Sequence, residues 1–141
     1  MAARKAPEAD AAGSPAAPCP CGSGRPLAAC CGRWHDGAER LQAPDPQTLM
    51  RSRYSAFVLD RRDYLLDTWH PSTRPAAIEP PPAGLRWLGL EVRAHRQDGD
   101  RGEVSFVARS KLAGRANRLQ EISRFVREEG RWFYVDGDLR D

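Results

Sequence analysis

The chain has 141 residues with a formal net charge of +3, from 22 basic and 19 acidic residues, and 40% of it is hydrophobic. That length suits one domain with a real core and is too short for two of ordinary size, and no apolar run approaches the roughly 20 residues of a membrane span. The charges are interleaved rather than gathered into a basic arm or stripe, so nucleic-acid binding is not indicated.

Residues 1–18 are Ala/Pro/Gly-rich and lack the continuous apolar core of a secretory signal, so they read as a disordered leader on a cytoplasmic protein. Residues 19–32 then hold all four cysteines of the chain, Cys19, Cys21, Cys30 and Cys31. This segment has too few apolar residues to fold by burial alone and is expected as an appendage to the domain C-terminal to it. Residues 33–44, with Trp34 and His35, read as a polar connector.

From Asp45 the pattern becomes helical. Asp45 is a good N-cap, Pro46 suits the first helical position, and Leu49, Met50, Tyr54, Phe57 and Val58 recur at helical spacing, which predicts a helix from about Pro46 to Leu59. A second helix, from Asp60 or Arg61 to Trp69, buries Leu65, Leu66 and Trp69 and stops at His70, because Pro71 disfavours helical geometry in the residue before it. Pro71 to Gly84, with five prolines, is a loop.

Beyond the loop the period falls to two. Leu88, Leu90, Val92 and Ala94 alternate with Trp87, Gly89, Glu91 and Arg93, and three further strand-like runs come after them: Glu103 to Lys111, Arg118 to Arg127 and Trp132 to Asp136. Short Gly-containing breaks between them predict an antiparallel meander. The expectation is an α+β domain over residues 45–141, two helices against a four-stranded sheet.

The cysteines follow a C-x-C, eight residues, C-C pattern. Zinc takes four thiolates at tetrahedral corners about 2.3 Å from the ion, and two close pairs separated by a turn can supply them. Gly22, Ser23 and Gly24 let the chain reverse tightly, while Arg25 and Arg33 are near enough in sequence to offset the negative charge of a zinc tetrathiolate. Three other chemistries compete. Two disulfides would strain the adjacent pair, an iron–sulfur cluster more usually shows C-x-x-C spacing, and a C-x-x-C redox pair is absent.

The run Cys19-Pro20-Cys21-Gly22-Ser23-Gly24 with Cys30-Cys31-Gly32 closely resembles the SEC-C motif, best known from the tail of the SecA translocase ATPase. That resemblance implies zinc ligation by Cys19, Cys21, Cys30 and Cys31 in a knuckle that docks another protein. Leu49 to Phe57, Tyr64-Leu65-Leu66, Thr68-Trp69-His70-Pro71, Glu121 to Phe125 and Trp132 to Gly137 together resemble the YchJ family, an uncharacterised bacterial family that pairs a SEC-C motif with this domain. Its fold is then that of nuclear transport factor 2 (NTF2), in which helices pack across a curved antiparallel sheet to form a cone.

Within such a cone the pocket candidates are Arg51, Arg53, Tyr54, Trp69, His70, Glu121 and Phe125. His70 is either a general acid or base at the rim or a cap on the helix C-terminus. Glu121 shares a strand face with Leu119, Ser123 and Phe125 and points into the apolar concavity, where a carboxylate needs a partner such as Arg51 or Arg53. The aromatic residues read as packing, and His35 and His95, in polar surroundings, receive no role. No catalytic residue is assigned, since the chain has no nucleotide loop, nucleophile elbow or second metal motif. Two functions fit: a zinc-knuckle adaptor, its domain free to dimerise through the sheet, or a small-ligand binder or enzyme using the cone pocket.

Overall fold

The computed structural model describes residues 14–140. Its elements, in chain order, are a single 3₁₀ turn at Leu27–Ala29, helices α1 (Gly32–His35), α2 (Pro46–Val58) and α3 (Arg62–Asp67), and strands β1 (Arg86–Asp98), β2 (Arg101–Leu112), β3 (Arg115–Glu128) and β4 (Arg131–Arg140). The Asp45 carboxylate accepts a hydrogen bond from Thr48 N–H at 2.7 Å and starts α2, with Pro46 in its first turn. The helix ends at Val58 because Asp60 takes a positive φ of 57° and turns the chain towards α3.

The four strands form one antiparallel meander in the order β1-β2-β3-β4. They run longer than the sequence pattern predicts because the hairpins close on two residues. In Ala113-Gly114 and Glu129-Gly130 both residues have positive φ, the turn geometry whose twist matches that of the paired strands. Register shifts at Trp87/Gly89 and Val92/Ala94 in β1, and opposite Arg124/Phe125 where Val135 of β4 is the extra residue, bend the sheet into a curve. Pro46 lies directly on Gly102 of β2, where any Cβ would collide with its ring. This close approach seats α2 in the concave face. Beyond α3, Thr68 and His70 exchange backbone hydrogen bonds with Tyr134 at 2.8 Å each, covering part of the outer edge of β4.

Leu49, Tyr54, Ala56, Tyr64, Leu65, Val104, Phe106 and Phe125 form the buried centre between the helices and the sheet. The cysteine segment packs on this body: Cys19, Cys21, Leu27, Cys30 and Cys31 form a buried cluster of their own that meets Leu59 and Leu90. Trp34 joins the main core, and His35, 1% exposed, packs at a tilt against Tyr64 with ring centroids 4.6 Å apart. His35 Nε2 lies 2.8 Å from Ser52 O as a donor, and burial, outweighing that bond, holds its pKa below the usual value and favours the neutral ring. The expected polar surroundings of His35 are therefore wrong. Its spacing from Trp34 hid a helix that inserts both residues.

Residues 33–44 likewise do more than connect. Leu41 N–H donates to Trp34 O, Ala43 is buried, and Arg40 spans from His35 O to the Asp67 carboxylate. Of the expected disordered leader, residues 1–13 lie outside the described residues. Residues 14–18 are ordered: Ala17 is buried and accepts from Leu27 N–H at 2.8 Å, and Pro18 bridges Pro26. That pairing closes the loop that carries Cys19 and Cys21.

Candidate functional site

Two sites flank α2. The first is the cysteine cluster. Cys19, Cys21, Cys30 and Cys31 are all buried, and their sulfurs lie within 4.8 Å of one another. A tetrahedron of sulfurs about 2.3 Å from a central ion has edges of about 3.8 Å. The Cys21 and Cys30 sulfurs are 3.6 Å apart, and none of the four is in a disulfide. The donor set therefore fits a single metal ion, and the paired-disulfide alternative does not hold.

Neighbours orient these sulfurs. Ser23 Oγ lies 3.1 Å and Arg25 Nη2 3.9 Å from Cys30 Sγ, and Ser55 Oγ of α2 lies 3.5 Å from Cys19 Sγ. Arg33, expected to help offset the cluster's charge, turns away to a bidentate pair with Glu39 at 3.0 and 3.2 Å. The Cys19 thiol is held well below its ordinary pKa, chiefly because Cys21 and Cys31 hydrogen-bond to it. The same contact pushes Cys31 up.

The second site is a cavity of about 250 Å³ between α2 and the concave face of the sheet. Arg53, Tyr54 and Phe57 face it from α2, Trp69 from the end of the α3 segment, and Phe106 and Ala108 from β2. On β3 the strand alternation brings Leu119, Glu121, Ser123 and Phe125 to the same wall. Edge-on ring pairs, Tyr54 with Trp87 at 5.6 Å and Trp69 with Tyr134 at 5.1 Å, make much of the lining. Phe57 and Leu119, both well exposed, mark the mouth.

Arg53 is 5% exposed. Its Nη1 donates to Leu65 O at 2.8 Å and Thr68 Oγ1 at 2.6 Å, and its guanidinium carbon lies 4.5 Å from the Tyr134 ring centroid and 5.2 Å from that of Trp69. Burial lowers its pKa to about 10, so it stays a cation at neutral pH. Glu121 accepts from Ser123 Oγ at 2.6 Å and from Tyr134 Oη at 3.3 Å. Burial and then the Glu121 charge push the Tyr134 phenol up to about 12, keeping it a donor. The carboxylate fits because Gly137, diagonal to it on β4 and paired with Ser123, carries no side chain. A Cβ there would come within 2.7 Å of Glu121 Cδ.

Of the seven pocket candidates, the cavity gathers Arg53, Tyr54, Trp69, Glu121 and Phe125 and leaves out Arg51 and His70. Arg51 lies on the other side of α2, where it donates to Gln47 Oε1 and to Cys21 O at 3.1 Å each. It is thus no partner for Glu121, and Arg53 is bonded elsewhere, so the expected buried pair is replaced by hydroxyl donors. His70 neither lines the cavity nor caps a helix. Its Nδ1 accepts from Ser72 N–H at 3.1 Å, its Nε2 is 3.0 Å from Glu128 Oε1, and its ring meets the edge of Phe133. The α3 carbonyls are taken by Thr68 instead. Sequence reasoning missed Ser55, Tyr134, Trp87 and Gly137 as site residues. The first was legible: Arg51 and Ser55, one helical turn apart, put a polar stripe on a helix face that the structure buries.

A SEC-C cysteine cluster seated on an NTF2-like cone is thus the class of protein that the fold and site define. The SEC-C motif matches over residues 17–33 and the YchJ middle NTF2-like domain over residues 45–137. The chain belongs to the YchJ family, whose relatives carry the UPF0225 name. It is 72% identical over 125 residues to a UPF0225 protein of Methylibium petroleiphilum, covering 87% of this chain and 90% of that one. A UPF0225 protein of Bordetella parapertussis is 63% identical over 128 residues, covering 90% and 96%. The solution structure of a SEC-C motif containing protein from Rhodopseudomonas palustris is similar at a TM-score of 0.76 and 33% identity, covering 87% of this chain and 98% of that one. A crystal structure of a SEC-C motif containing protein from Psychrobacter arcticus gives 0.70 and 26%, with 87% and 82% covered.

Proposed function

We propose that this chain is a small-ligand-binding protein whose working site is the cone cavity and whose cysteine cluster holds zinc as a structural clasp. The supporting observation is the cavity: about 250 Å³, mostly aromatic, with one buried guanidinium and one carboxylate. An apolar space with a few convergent polar groups is the usual form of a small-molecule site. It exceeds the cavity of about 150 Å³ known to hold benzene in an engineered core. Indole, a neutral aromatic probe, should saturably shift the indole N–H signals of Trp69 and Trp87 in NMR spectra. Leu119→Trp, which plugs the mouth at an exposed position, should abolish the shift. No saturable shift, or an equal one in the plugged variant, overturns the reading.

Four thiolates at tetrahedral spacing favour zinc over harder cations. Metal analysis of protein purified under reducing conditions should find about one zinc per chain, and Cys21→Ser should lose most of it. No described helix is long and apolar enough to cross a membrane, and an all-thiolate site suits the reducing cytoplasm.

The adaptor reading keeps one support. The turn 22–26 is exposed beside a shallow groove that includes Ser23, Arg25, Thr48 and Arg51. A protein partner docking there would meet basic side chains, so it would carry acidic ones. Reversing the charge at Arg25 should weaken such a partner without changing indole binding.

A further inference from the structure

Arg53 is the polar group least explained by folding. A guanidinium offers five N–H donors in a planar fork. Two hydrogen bonds on Nη1 fix it to Leu65 O and Thr68 Oγ1, and the Trp69 and Tyr134 rings lie against the guanidinium. The remaining edge, Nε with Nη2, has no protein acceptor among the described residues. The side chain is 5% exposed, and it lines the cavity, so the cavity is where that edge finds a partner. Among the described residues no carboxylate pairs with Arg53. Glu121 faces the same space but is bonded to Ser123 and Tyr134 instead.

The Nε/Nη2 edge of arginine matches a carboxylate or a phosphate with two parallel hydrogen bonds, but among the described residues Arg53 is the one cation lining the cavity and Glu121 faces it, which favours a single negative charge over the two of a phosphate. The two Nη1 hydrogen bonds, with the Trp69 and Tyr134 rings packed against the guanidinium at 84° to each other, hold the fork in place and so fix the direction from which a carboxylate must approach. The rest of the cavity is aromatic and takes a flat apolar body. Glu121 opposes any second negative charge on the ligand. Resting on the ligand-binding reading above, we infer that the cavity takes a small aromatic monocarboxylic acid, its carboxylate side-on to Arg53 and its ring among Tyr54, Trp87 and Phe106.

The test uses the full zinc-loaded chain and two neutral-pH probes of nearly the same shape, 3-phenylpropionate and its amide. Calorimetry should find the acid binding more tightly by roughly ten- to a hundredfold, the range for hydrogen bonds gained by a charged group. In Arg53→Lys, which keeps the charge and loses the fork, the acid-to-amide ratio should fall several-fold. Should that variant fail to fold, the Arg53 Nε–H resonance of the wild type still decides, by moving with the acid and not with the amide. An amide that binds as well as the acid, or a ratio unchanged in Arg53→Lys, overturns the carboxylate assignment. If indole still binds in that case, the cavity reading stands and only the ligand class is wrong. If neither acid, amide nor indole binds, the cavity reading falls with it.

Discussion

Removing the metal should unfold more than the cysteine loop, and the structure lets the size of the effect be worked out. The loop from Ala17 to Cys31 runs directly into α1, and α1 carries Trp34 and His35 into the main core. Emptying the cluster leaves four buried sulfurs within 4.8 Å, with no cation among them. If the loop opens, the side chains of Leu27 and Trp34 are exposed, a loss of about 1.5–3 kcal/mol each. The His35 hydrogen bond to Ser52 O adds about 1 kcal/mol, the usual net value of such a bond. Together these come to about 4–7 kcal/mol, against a total of about 5–15 kcal/mol for a domain of ordinary stability. At roughly 3–5 °C per kcal/mol for a domain of this size, the melting temperature should fall by more than about 10 °C. Thermal melts followed by circular dichroism, with and without a strong chelator and a reductant, make the measurement. The expected result is one transition moving as a whole. A melting point unchanged within a degree or two, or two separate transitions, would show that the cysteine segment is an appendage after all.

His35 gives the protein a pH dependence with a defined sign. Its pKa is held below the ordinary 6.5 in the folded state, first by burial, so the unfolded chain takes up the proton first. Stability is full above about pH 6.5 and declines as the pH falls through the folded value, while the Arg61 pair keeps Asp36 ionised across that window. Urea melts between pH 7.5 and 5.5 should show the wild type losing stability faster than His35→Gln, and parallel curves would contradict the buried neutral ring. Gly137→Ala should destabilise by roughly 1–3 kcal/mol, the range for overpacking, because the new Cβ meets the Glu121 side chain. In a Glu121→Ala background the same change should be close to neutral, and additive effects in this cycle would refute the contact.

How much of this was legible in the sequence depends on the range of the interaction. The Asp45 cap, the helical stripe of Leu49, Met50 and Tyr54, and the alternation of Leu119, Glu121, Ser123 and Phe125 are local patterns, and each lies where its period puts it. The four-cysteine spacing was equally local. What failed was pairing across the fold. Charge arithmetic assigned Glu121 an arginine, but which arginine faces it depends on how α2 rolls on the sheet. That roll is set by Pro46 on Gly102 and by the cysteine loop, and neither contact has a sequence period. His70 was misplaced for a similar reason: the chain beyond α3 pairs with Tyr134 some sixty residues later, which swings the imidazole outward. Trp34 and His35 looked polar because their neighbours in sequence are polar, although their neighbours in space are Tyr64 and the core.

One helix is shared by both sites. On α2 the residues facing the cavity, Met50, Arg53, Tyr54 and Phe57, form one stripe, while Arg51 and Ser55, which hold Cys21 and Cys19, lie about 120° away around the same helix. A rigid helix cannot release one stripe without disturbing the other. When the cluster opens, the contacts of Ser55 and Arg51 go, α2 is left free to roll, and Arg53 loses its fixed seat against Trp69 and Tyr134. Loss of metal should therefore weaken binding in the cavity before the domain melts. By linkage, a ligand in the cavity must tighten metal binding by the same factor. Competition of the zinc-loaded chain against a chromophoric chelator, with and without saturating indole, reads that factor directly. Metal transfer slowed only in rate, with an unchanged equilibrium, would mean that indole blocks an exit path. A shifted equilibrium is what the shared helix requires, and an equilibrium that ignores indole while indole is bound would show that α2 keeps its seat without the cluster.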